Sequence, residues 1–204
     1  MIKNIIFDFG DIFINLNKEA TFQKMATLGV TDISEAMIDT YHKYEKGLIS
    51  TDAFIEFYQQ QFPAIEKKQL VAAWNAILLD FPLERLAFLQ ALKASGNYRL
   101  FLLSNTNELH ISWIQQDWGL ARFAEFKVCF EQFYLSHEIH YRKPDTDIYE
   151  FVLRENKLKA SETLFVDDLQ ENTTAAEKLG IQVWNLIPGK EDVVELFQKN
   201  NIAI

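Results

Sequence analysis

Short apolar segments alternate with helical segments along the second half of the chain, and this alternation limits the possible fold more than any other feature. The apolar segments are short and bounded by polar residues or glycine, which is typical of buried strands. The predicted strands are Ile5–Phe7, Arg99–Leu103, Phe126–Cys129, Leu164–Val166 and Gln182–Leu186. The predicted helices between them run through Ile111 and Trp113, over Asp145–Arg154 and over Thr173–Leu179. Strands that alternate with helices predict an α/β fold with a Rossmann-like parallel sheet.

The stretch between the first two predicted strands is helical and too long for an ordinary crossover. Apolar residues recur there at helical spacing, as at Phe54, Phe57 and Tyr58. Glycine and proline residues interrupt this pattern and predict several short helices. We therefore expect an inserted α-helical subdomain over residues 15–84, with the sheet-containing core formed by residues 1–14 and 85–204.

Composition narrows the class of protein. Hydrophobic residues make up 49% of the 204 residues, so a sizeable core can form. The net charge of −9 argues against nucleic-acid binding, because a chain this acidic is repelled by phosphate backbones. Cys129 is the only cysteine, so neither an internal disulfide nor a cysteine-rich zinc site can form. No secretory pattern or membrane-spanning segment is found, so we expect a cytoplasmic protein without membrane or nucleic-acid partners, and its oligomeric state stays open.

Polar side chains follow three of the predicted strands at the points where these strands end. Asp8 follows the first strand, Ser104 and Asn105 follow the second, and Asp167 and Asp168 follow the fourth. In parallel sheets the carboxyl ends of the strands meet at one edge, where ligands bind. These residues are therefore expected to converge on one crevice. Each of them, taken alone, could instead be a turn or helix-capping residue, as Asp and Ser often are.

The carboxylates of Asp167 and Asp168, facing Asp8, would repel one another unless a cation lay among them. Magnesium prefers oxygen ligands and uses few protein carboxylates, so it fits this set. A carboxylate can attack a phosphoryl group and form an aspartyl-phosphate, and the transferred group then needs donors around its oxygens. The candidate donors are Ser104, the backbone at Asn105 and Lys143.

Four segments in this order resemble the four motifs of the haloacid dehalogenase-like hydrolase superfamily. These segments are Asp8-Phe9-Gly10, Leu103-Ser104-Asn105, Lys143-Pro144 and Asp167-Asp168. Residues 41–50, 104–107 and 142–145 further resemble the branch that holds a bacterial α-D-glucose-1-phosphate phosphatase, with the phosphatase domain of soluble epoxide hydrolase as a neighbour. The resemblance covers nearly the whole chain and is weakest over residues 18–39 and beyond residue 186.

The resemblance implies a catalytic role for three residues. Asp8 would be the nucleophile, Ser104 would bind the phosphoryl oxygens, and Lys143 would hold the phosphate and orient Asp8. The cofactor would be Mg²⁺. Its implied ligands are Asp8, the Gly10 carbonyl and Asp168, with Asp167 in or directly behind the ligand shell.

By the same resemblance, the helical insertion would be a cap that covers the site. The turn Glu45-Lys46-Gly47 would dip into the site and, together with Asn105, contact the substrate. One departure from the pattern concerns the general acid, because most phosphatases of the superfamily carry a second Asp two residues after the nucleophile. This chain has Gly10 there, with Asp11 one step further on. A water molecule, a cap residue such as His42 or Glu45, or an acidic leaving group could take over that role.

These observations predict a magnesium-dependent phosphatase that hydrolyses a small phosphorylated metabolite, such as a sugar phosphate, through an aspartyl-phosphate. Two alternatives stay open at this point. A 2-haloacid dehalogenase also lacks the second Asp, but it needs no metal and its relatives lack the Asp167-Asp168 pair. A catalytically silent binding protein could share the same fold, since a fold alone does not establish activity.

Overall fold

The computed structural model of the protein describes residues 1–200, and its centre is a five-stranded parallel sheet. The strands are β1 (Asn4–Phe7), β2 (Arg99–Ser104), β3 (Gln132–Leu135), β4 (Thr163–Asp167) and β5 (Gln182–Asn185). Their order across the sheet is β3-β2-β1-β4-β5, with every neighbouring pair parallel. The predicted α/β class with a parallel sheet is confirmed.

Helices precede and follow β2 in the chain. Those before it are α1 (Ala20–Thr27), α2 (Glu35–Glu45), α3 (Thr51–Gln61), α4 (Lys67–Asn75) and α5 (Leu83–Ser95). Those after it are α6 (Glu108–Trp118), α7 (Leu120–Lys127), α8 (Ser136–Ile139), α9 (Thr146–Glu155), α10 (Gln170–Glu177) and α11 (Leu196–Asn200). Side chains of Ser34, Ser50 and Asn107 accept hydrogen bonds from the first turns of α2, α3 and α6, which fixes where these helices begin. None of the helices within residues 1–200 has the length and apolar character needed to cross a membrane.

Apolar side chains cover both faces of the sheet, because successive residues of a strand point to opposite faces. In β1, Ile5 and Phe7 belong to one buried cluster and Ile6 belongs to another. A third cluster lies within α1 to α4, which we call the helical block. There the ring of Phe54 stacks on Tyr44 with 4.3 Å between centroids and packs edge-on against Trp74. The helical block thus has its own core, while the division into residues 1–14, 15–84 and 85–204 stays a prediction.

The prediction of a strand over Phe126–Cys129 was wrong. This segment holds the end of α7 and the turn that follows it, and the third strand begins later, at Gln132. Phe123, Phe126 and Phe130 recur every three or four residues and pack into the cluster on one sheet face, so the helical period prevails over the strand preference of the aromatic residues. The strand itself lies at the sheet edge and is only partly buried, which weakens its apolar signal.

The strand order sets the position of the polar residues. Phe7 of β1 pairs with Leu102 of β2 on one side and with Val166 of β4 on the other. Residues that come just after these positions therefore emerge side by side at the carboxyl edge of three adjacent strands. This edge is where the side chains of Asp8, Ser104 and Asp167 lie.

Candidate active site

Three carboxylates come together at the carboxyl edge of the sheet, those of Asp8, Asp167 and Asp168. One oxygen atom from each lies within 4.8 Å of the others. Asp8 and Asp167 are buried, and the side chain of Asp168 is only 4% exposed. The structure therefore concentrates negative charge at the point where the three central strands end.

Lys143 is the buried cation of this cluster, with a side chain that is 1% exposed. Its Nζ lies 2.8 Å from Asp8 Oδ1 and 2.7 Å from Asp167 Oδ2, and it donates to the Leu103 carbonyl oxygen at 2.8 Å. Burial alone would lower the pKa of Lys143, but the charges of Asp167 and Asp8 raise it above the usual lysine value. The ammonium group therefore stays charged and holds one oxygen of Asp8 in place.

Asp8 combines a fixed position with a raised pKa. Its backbone N–H donates to the Val166 carbonyl at 2.8 Å, so β4 anchors the residue at its main chain. Burial raises the pKa of its carboxyl from 3.8 to about 7, Lys143 opposes this shift, and Asp167 and Asp168 add to it. The positive charge within the protein thus compensates the carboxylates only in part, and a bound cation would favour the ionised form of Asp8.

Asp167 is engaged by protein donors on both oxygens. Oδ2 contacts Lys143 and also accepts from Asn172 Nδ2 at 3.0 Å. Oδ1 accepts from Asn172 Nδ2 at 3.1 Å and from the Leu169 backbone N–H at 2.8 Å. These bonds leave Asp167 little capacity to bind a metal directly, and they suit it to orient Lys143.

Asp168 faces a different partner, Lys18, from the segment just before α1. Lys18 Nζ contacts Asp168 Oδ2 and also lies 3.1 Å from Asp11 Oδ2. Burial raises the pKa of Asp168, an effect that the contact with Lys18 offsets only in part. Lys18 is half exposed, so its ammonium group can leave Asp168 more easily than Lys143 can leave Asp8.

This arrangement fits a hard divalent cation such as magnesium. The available donors are oxygen atoms, they are clustered and shielded from water, and they carry more negative charge than the two lysines neutralise. Asp8 and Asp168 present carboxylate oxygens at the edge, and the Gly10 carbonyl belongs to the same turn as Asp8. These three groups could bind the ion, while Asp167 fits the position behind them.

The loop after β2 carries Ser104 and Asn105. Ser104 is buried, and its hydroxyl makes only a long contact of 3.5 Å to the Asn105 carbonyl, so it remains able to donate to a ligand. The side chain of Asn105 instead binds the backbone of Lys143 twice: its Nδ2 donates to the carbonyl at 2.8 Å and its Oδ1 accepts from the N–H at 2.9 Å. Asn105 therefore ties the loop to the segment that carries Lys143, and its backbone N–H is the group left for a ligand.

The turn after Asp8 engages the side chain of Asp11, the residue one step beyond Gly10. Asp11 has a left-handed backbone (φ +53°), its Oδ1 accepts from the Leu16 N–H at 3.0 Å, and its Oδ2 pairs with Lys18. The carboxylate is thus used to close its own turn. At Gly10, a Cβ atom would lie 2.6 Å from Leu16 Cδ1, so a side chain at this position requires Leu16 to move.

The predicted cap turn docks against the segment around α8. Glu45 is buried and accepts from Tyr41 OH and from Arg142 Nε, both at 2.6 Å. Lys46 Nζ lies 2.9 Å from Asp145 Oδ2, and a Cβ atom at Gly47 (φ +62°) would lie 1.9 Å from a backbone carbonyl oxygen of α8. Of this turn only Glu45 lines the crevice above Asp8, whereas Lys46 and Gly47 hold the turn in place.

The crevice above Asp8 has a volume of about 270 Å³ and is lined by the sheet edge and the helical block. Tyr41, Arg142, Lys18 and His110 line it together with the predicted residues, and the sequence analysis assigned none of these four a role. Tyr41 and Arg142 lie in segments that carry the family resemblance. Lys18 and His110 had no signal of their own, because their position depends on how α1 and α6 pack.

His110 is partly buried and neutral. Burial lowers its pKa from 6.5 to about 4, with its contact to the Trp74 carbonyl acting in the opposite direction. Because that carbonyl oxygen can only accept, the proton lies on Nε2, and Nδ1 accepts from Asn107 Nδ2 at 3.3 Å. A neutral ring held in this way is not a ready proton donor to a leaving group.

The core of the protein is a parallel sheet flanked by helices. Three carboxylates and a buried lysine meet at the carboxyl edge of this sheet, an arrangement typical of an enzyme with an acidic ligand site. Residues 5–186 match the sequence family described as haloacid dehalogenase-like hydrolase. The chain therefore belongs to the haloacid dehalogenase-like hydrolases. The predicted superfamily and the predicted hydrolase class are confirmed.

Individual relatives cover nearly the whole chain. A D-ribitol-5-phosphate phosphatase of Bacteroides thetaiotaomicron is 29% identical over 90% of this chain and 91% of its own length. A sesquiterpene phosphatase of Aspergillus oryzae is 26% identical over 96% and 95%. A haloacid dehalogenase family enzyme of B. thetaiotaomicron, solved with magnesium, has a TM-score of 0.86 and is 33% identical over 97% of this chain and 98% of that chain. It has also been solved with magnesium and inorganic phosphate (TM-score 0.83, 32% identity, 97% of this chain and all of that one). The narrower resemblance to the branch with the glucose-1-phosphate phosphatase stays a prediction.

Proposed function

We propose that the protein is a magnesium-dependent phosphatase that hydrolyses a small phosphorylated metabolite through an aspartyl-phosphate on Asp8. The observation that carries this proposal is the position of Asp8 at the floor of the crevice, with Lys143 at 2.8 Å from one of its oxygens. Lys143 fixes this oxygen, so the other is left to act as the nucleophile. The named relatives that act on phosphate esters and the related structure with magnesium and phosphate support the same assignment.

The reaction divides into two displacements at phosphorus. In the first, an oxygen of Asp8 forms a bond to phosphorus while the bond from phosphorus to the leaving oxygen breaks, and the leaving group takes up a proton. In the second, a water molecule attacks phosphorus and the bond to Asp8 breaks, which yields inorganic phosphate and restores the carboxylate. Ser104 and the backbone N–H at Asn105 donate to the phosphoryl oxygens in both steps. Lys143 acts on them through its charge, because its three N–H groups are held by Asp8, Asp167 and the Leu103 carbonyl.

Magnesium bound by Asp8, Asp168 and the Gly10 carbonyl would neutralise part of the negative charge shared by the carboxylates and the phosphoryl group. Asp167 would act through Lys143, which it positions. Glu45 would line the substrate site, and Lys46 and Gly47 would hold its turn against α8. Glu45 is paired with Arg142 and His110 is neutral, so neither is assigned as the proton donor. A water molecule would protonate the leaving group, or a leaving group that is acidic enough would depart as an anion.

The test is phosphate release from a panel of sugar phosphates, polyol phosphates, nucleotides and phosphorylated acids, with magnesium and with excess chelator. We expect turnover that depends on the metal and falls by about four to six orders of magnitude in Asp8→Asn. Asp39→Asn makes the same chemical change at a carboxylate that is 61% exposed and should retain full activity.

Three results would overturn the proposal in different ways. Full phosphate release in chelator would remove the role of the metal. Halide release from 2-haloacids in chelator, without any phosphate release, would establish the dehalogenase instead, and no turnover with any substrate would favour the silent binding protein.

A further inference from the structure

A second cavity lies inside the helical block, next to the crevice above Asp8. It has a volume of about 310 Å³, within the range of small-molecule sites. We call it the apolar pocket, since most of its wall is hydrocarbon. The apolar residues of its wall include Phe22, Ile33, Ile38 and Trp74.

The apolar pocket and the crevice share part of their walls. Lys18, Tyr41, Ile77 and His110 line both cavities. The two cavities are therefore adjacent, and a molecule with its phosphoryl group at Asp8 that extends past these four residues would enter the helical block. This adjacency makes the pocket a candidate site for the group attached to the phosphate.

The rim of the apolar pocket exposes large hydrophobic side chains. Phe22 is 48% exposed, Ile33 is 57% exposed and Ile38 is 45% exposed. These three residues line the same cavity, and exposed apolar side chains grouped in this way mark binding sites more often than scattered single residues do. A bound hydrocarbon group would remove this surface from water.

The polar groups of the wall are largely occupied within the protein. Thr21 Oγ1 donates to the Trp74 carbonyl at 3.0 Å, Tyr41 OH donates to Glu45, and His110 Nε2 contacts the Trp74 carbonyl. Trp74 Nε1, which is buried, has no hydrogen-bond partner among the residues that the structure describes. The Tyr58 hydroxyl and the Lys18 ammonium group also lie in this wall. A ligand would thus meet few free polar groups, fewer than the hydroxyl groups of a polyol require.

We propose that the apolar pocket binds the leaving group of the substrate, and that this group is a hydrocarbon alcohol, so that the substrate is a phosphate monoester of an alkyl, aryl or branched-chain alcohol. The proposal rests on the phosphatase function proposed above and specifies its substrate class. A polyol or sugar phosphate would leave its hydroxyl groups facing hydrocarbon, where each unpaired polar group carries a desolvation cost.

The test is a series of n-alkyl phosphates from ethyl to octyl phosphate. The leaving alcohols in this series differ little in acidity, so chain length is the only variable. Burial of one methylene group corresponds to about a fourfold increase in kcat/KM, so a few methylenes in the pocket should give on the order of a hundredfold between ethyl and octyl phosphate. Ribitol 5-phosphate, a polyol phosphate, should be turned over no faster than ethyl phosphate.

Variants at the rim link this preference to the pocket. The double variant Phe22→Gln/Ile38→Gln should lower the octyl-to-ethyl ratio of kcat/KM by roughly tenfold. The control is Ile187→Gln, because Ile187 is 48% exposed, close to the exposure of Ile38, and lies after β5 away from both cavities. The control should leave the ratio unchanged.

Binding provides a readout that does not depend on turnover. In Asp8→Asn with magnesium, calorimetric titration with octyl phosphate should give tighter binding than ethyl phosphate and a negative heat-capacity change, the sign of apolar burial. A flat chain-length series in an enzyme that releases phosphate would overturn the pocket assignment and leave the phosphatase standing. No phosphate release from any ester would instead overturn the proposed function, and length-dependent binding to Asp8→Asn would then show that the pocket binds hydrocarbon without catalysis.

Discussion

Replacing Lys143 with methionine removes the ammonium group that lies between Asp8 and Asp167. Methionine keeps most of the length and apolar volume of the lysine stem, so the change is mainly one of charge. The lost contacts are three, at 2.7 to 2.8 Å, to the two carboxylates and the Leu103 carbonyl. We predict a large loss of stability in the metal-free protein, because two carboxylates would then be buried without a cation between them.

The magnitude follows from burial. Lys143 is 1% exposed and Asp167 is fully buried, so solvent screens this pair very little. Removal of one partner from a buried ion pair typically costs about 3–5 kcal/mol in the free energy of unfolding. An exposed pair behaves differently: Lys43 and Asp39 are 2.6 Å apart but 50% and 61% exposed, and such helix pairs contribute about 0.3–0.5 kcal/mol. Lys43→Met is therefore the matched control.

The assay is urea unfolding in chelator, followed by tryptophan fluorescence, for the wild type and both variants. Lys143→Met should unfold at much lower urea concentration with an unchanged slope, and its melting temperature should fall by about 2–4 °C for each kcal/mol lost. The deficit should be smaller at pH 5 than at pH 8, because Asp8, with a pKa of about 7, is largely protonated at pH 5. A Lys143→Met protein within about 1 kcal/mol of the wild type at pH 8, like Lys43→Met, would refute the view that Lys143 compensates these carboxylates.

Three further predictions concern the turn at the nucleophile, the cap turn and pH. Gly10→Asp combined with Leu16→Ala should raise kcat by up to about 10²-fold for esters with poorly acidic leaving alcohols and should change kcat for aryl phosphates little. Leu16→Ala is included because Leu16 alone crowds a Cβ atom at position 10. An equal gain for both ester types would show that no acid had been added. Gly47→Ala should lower kcat/KM for the best substrate at least tenfold more than Gly96→Ala does. Both glycines have left-handed backbones, but only a Cβ atom at Gly47 would clash with the backbone of α8. Equal losses in the two variants would mean that the docking of the turn does not affect catalysis. In chelator, the free energy of unfolding of the wild type, measured relative to Asp8→Asn, should fall as pH rises from 4 through about 7. The reason is that a carboxyl whose pKa is raised on folding stabilises the folded state only while it is protonated. A rise in this free energy over the same range would contradict the burial of Asp8.

The sequence was sufficient to predict the sheet and the residues at its edge, for a physical reason. Strands buried on both faces are nearly pure apolar runs, so Ile5–Phe7 and Leu164–Val166 stand out, and the polar residue that ends each run must face the ligand edge. The order of the strands then places Asp8 beside Asp167. Edge strands carry a weaker signal, which is why β3 was misplaced by several residues.

The remainder of the site depends on tertiary packing that residue spacing does not encode. Lys18 reaches the carboxylates only because the segment before α1 passes over the sheet edge. His110 lines the crevice because α6 packs against α4, where it contacts the Trp74 carbonyl. Glu45 was predicted to contact the substrate, but its pairing with Tyr41 and Arg142 could be seen only in the folded chain.

The central claim is that phosphate passes through a covalent bond to Asp8, and chemical trapping tests it most directly. Wild-type enzyme turning over a phosphate monoester with magnesium is quenched and treated with borohydride, which reduces an acyl phosphate but not a free carboxylate. The digest is then analysed by mass spectrometry. The account predicts that the side chain of Asp8 is reduced to an alcohol in samples quenched during turnover and not in samples quenched without substrate. The control variant Asp39→Asn should give the same result as the wild type. Phosphate release at the full rate with an unmodified Asp8, or with the reduced residue at any other carboxylate, would contradict it.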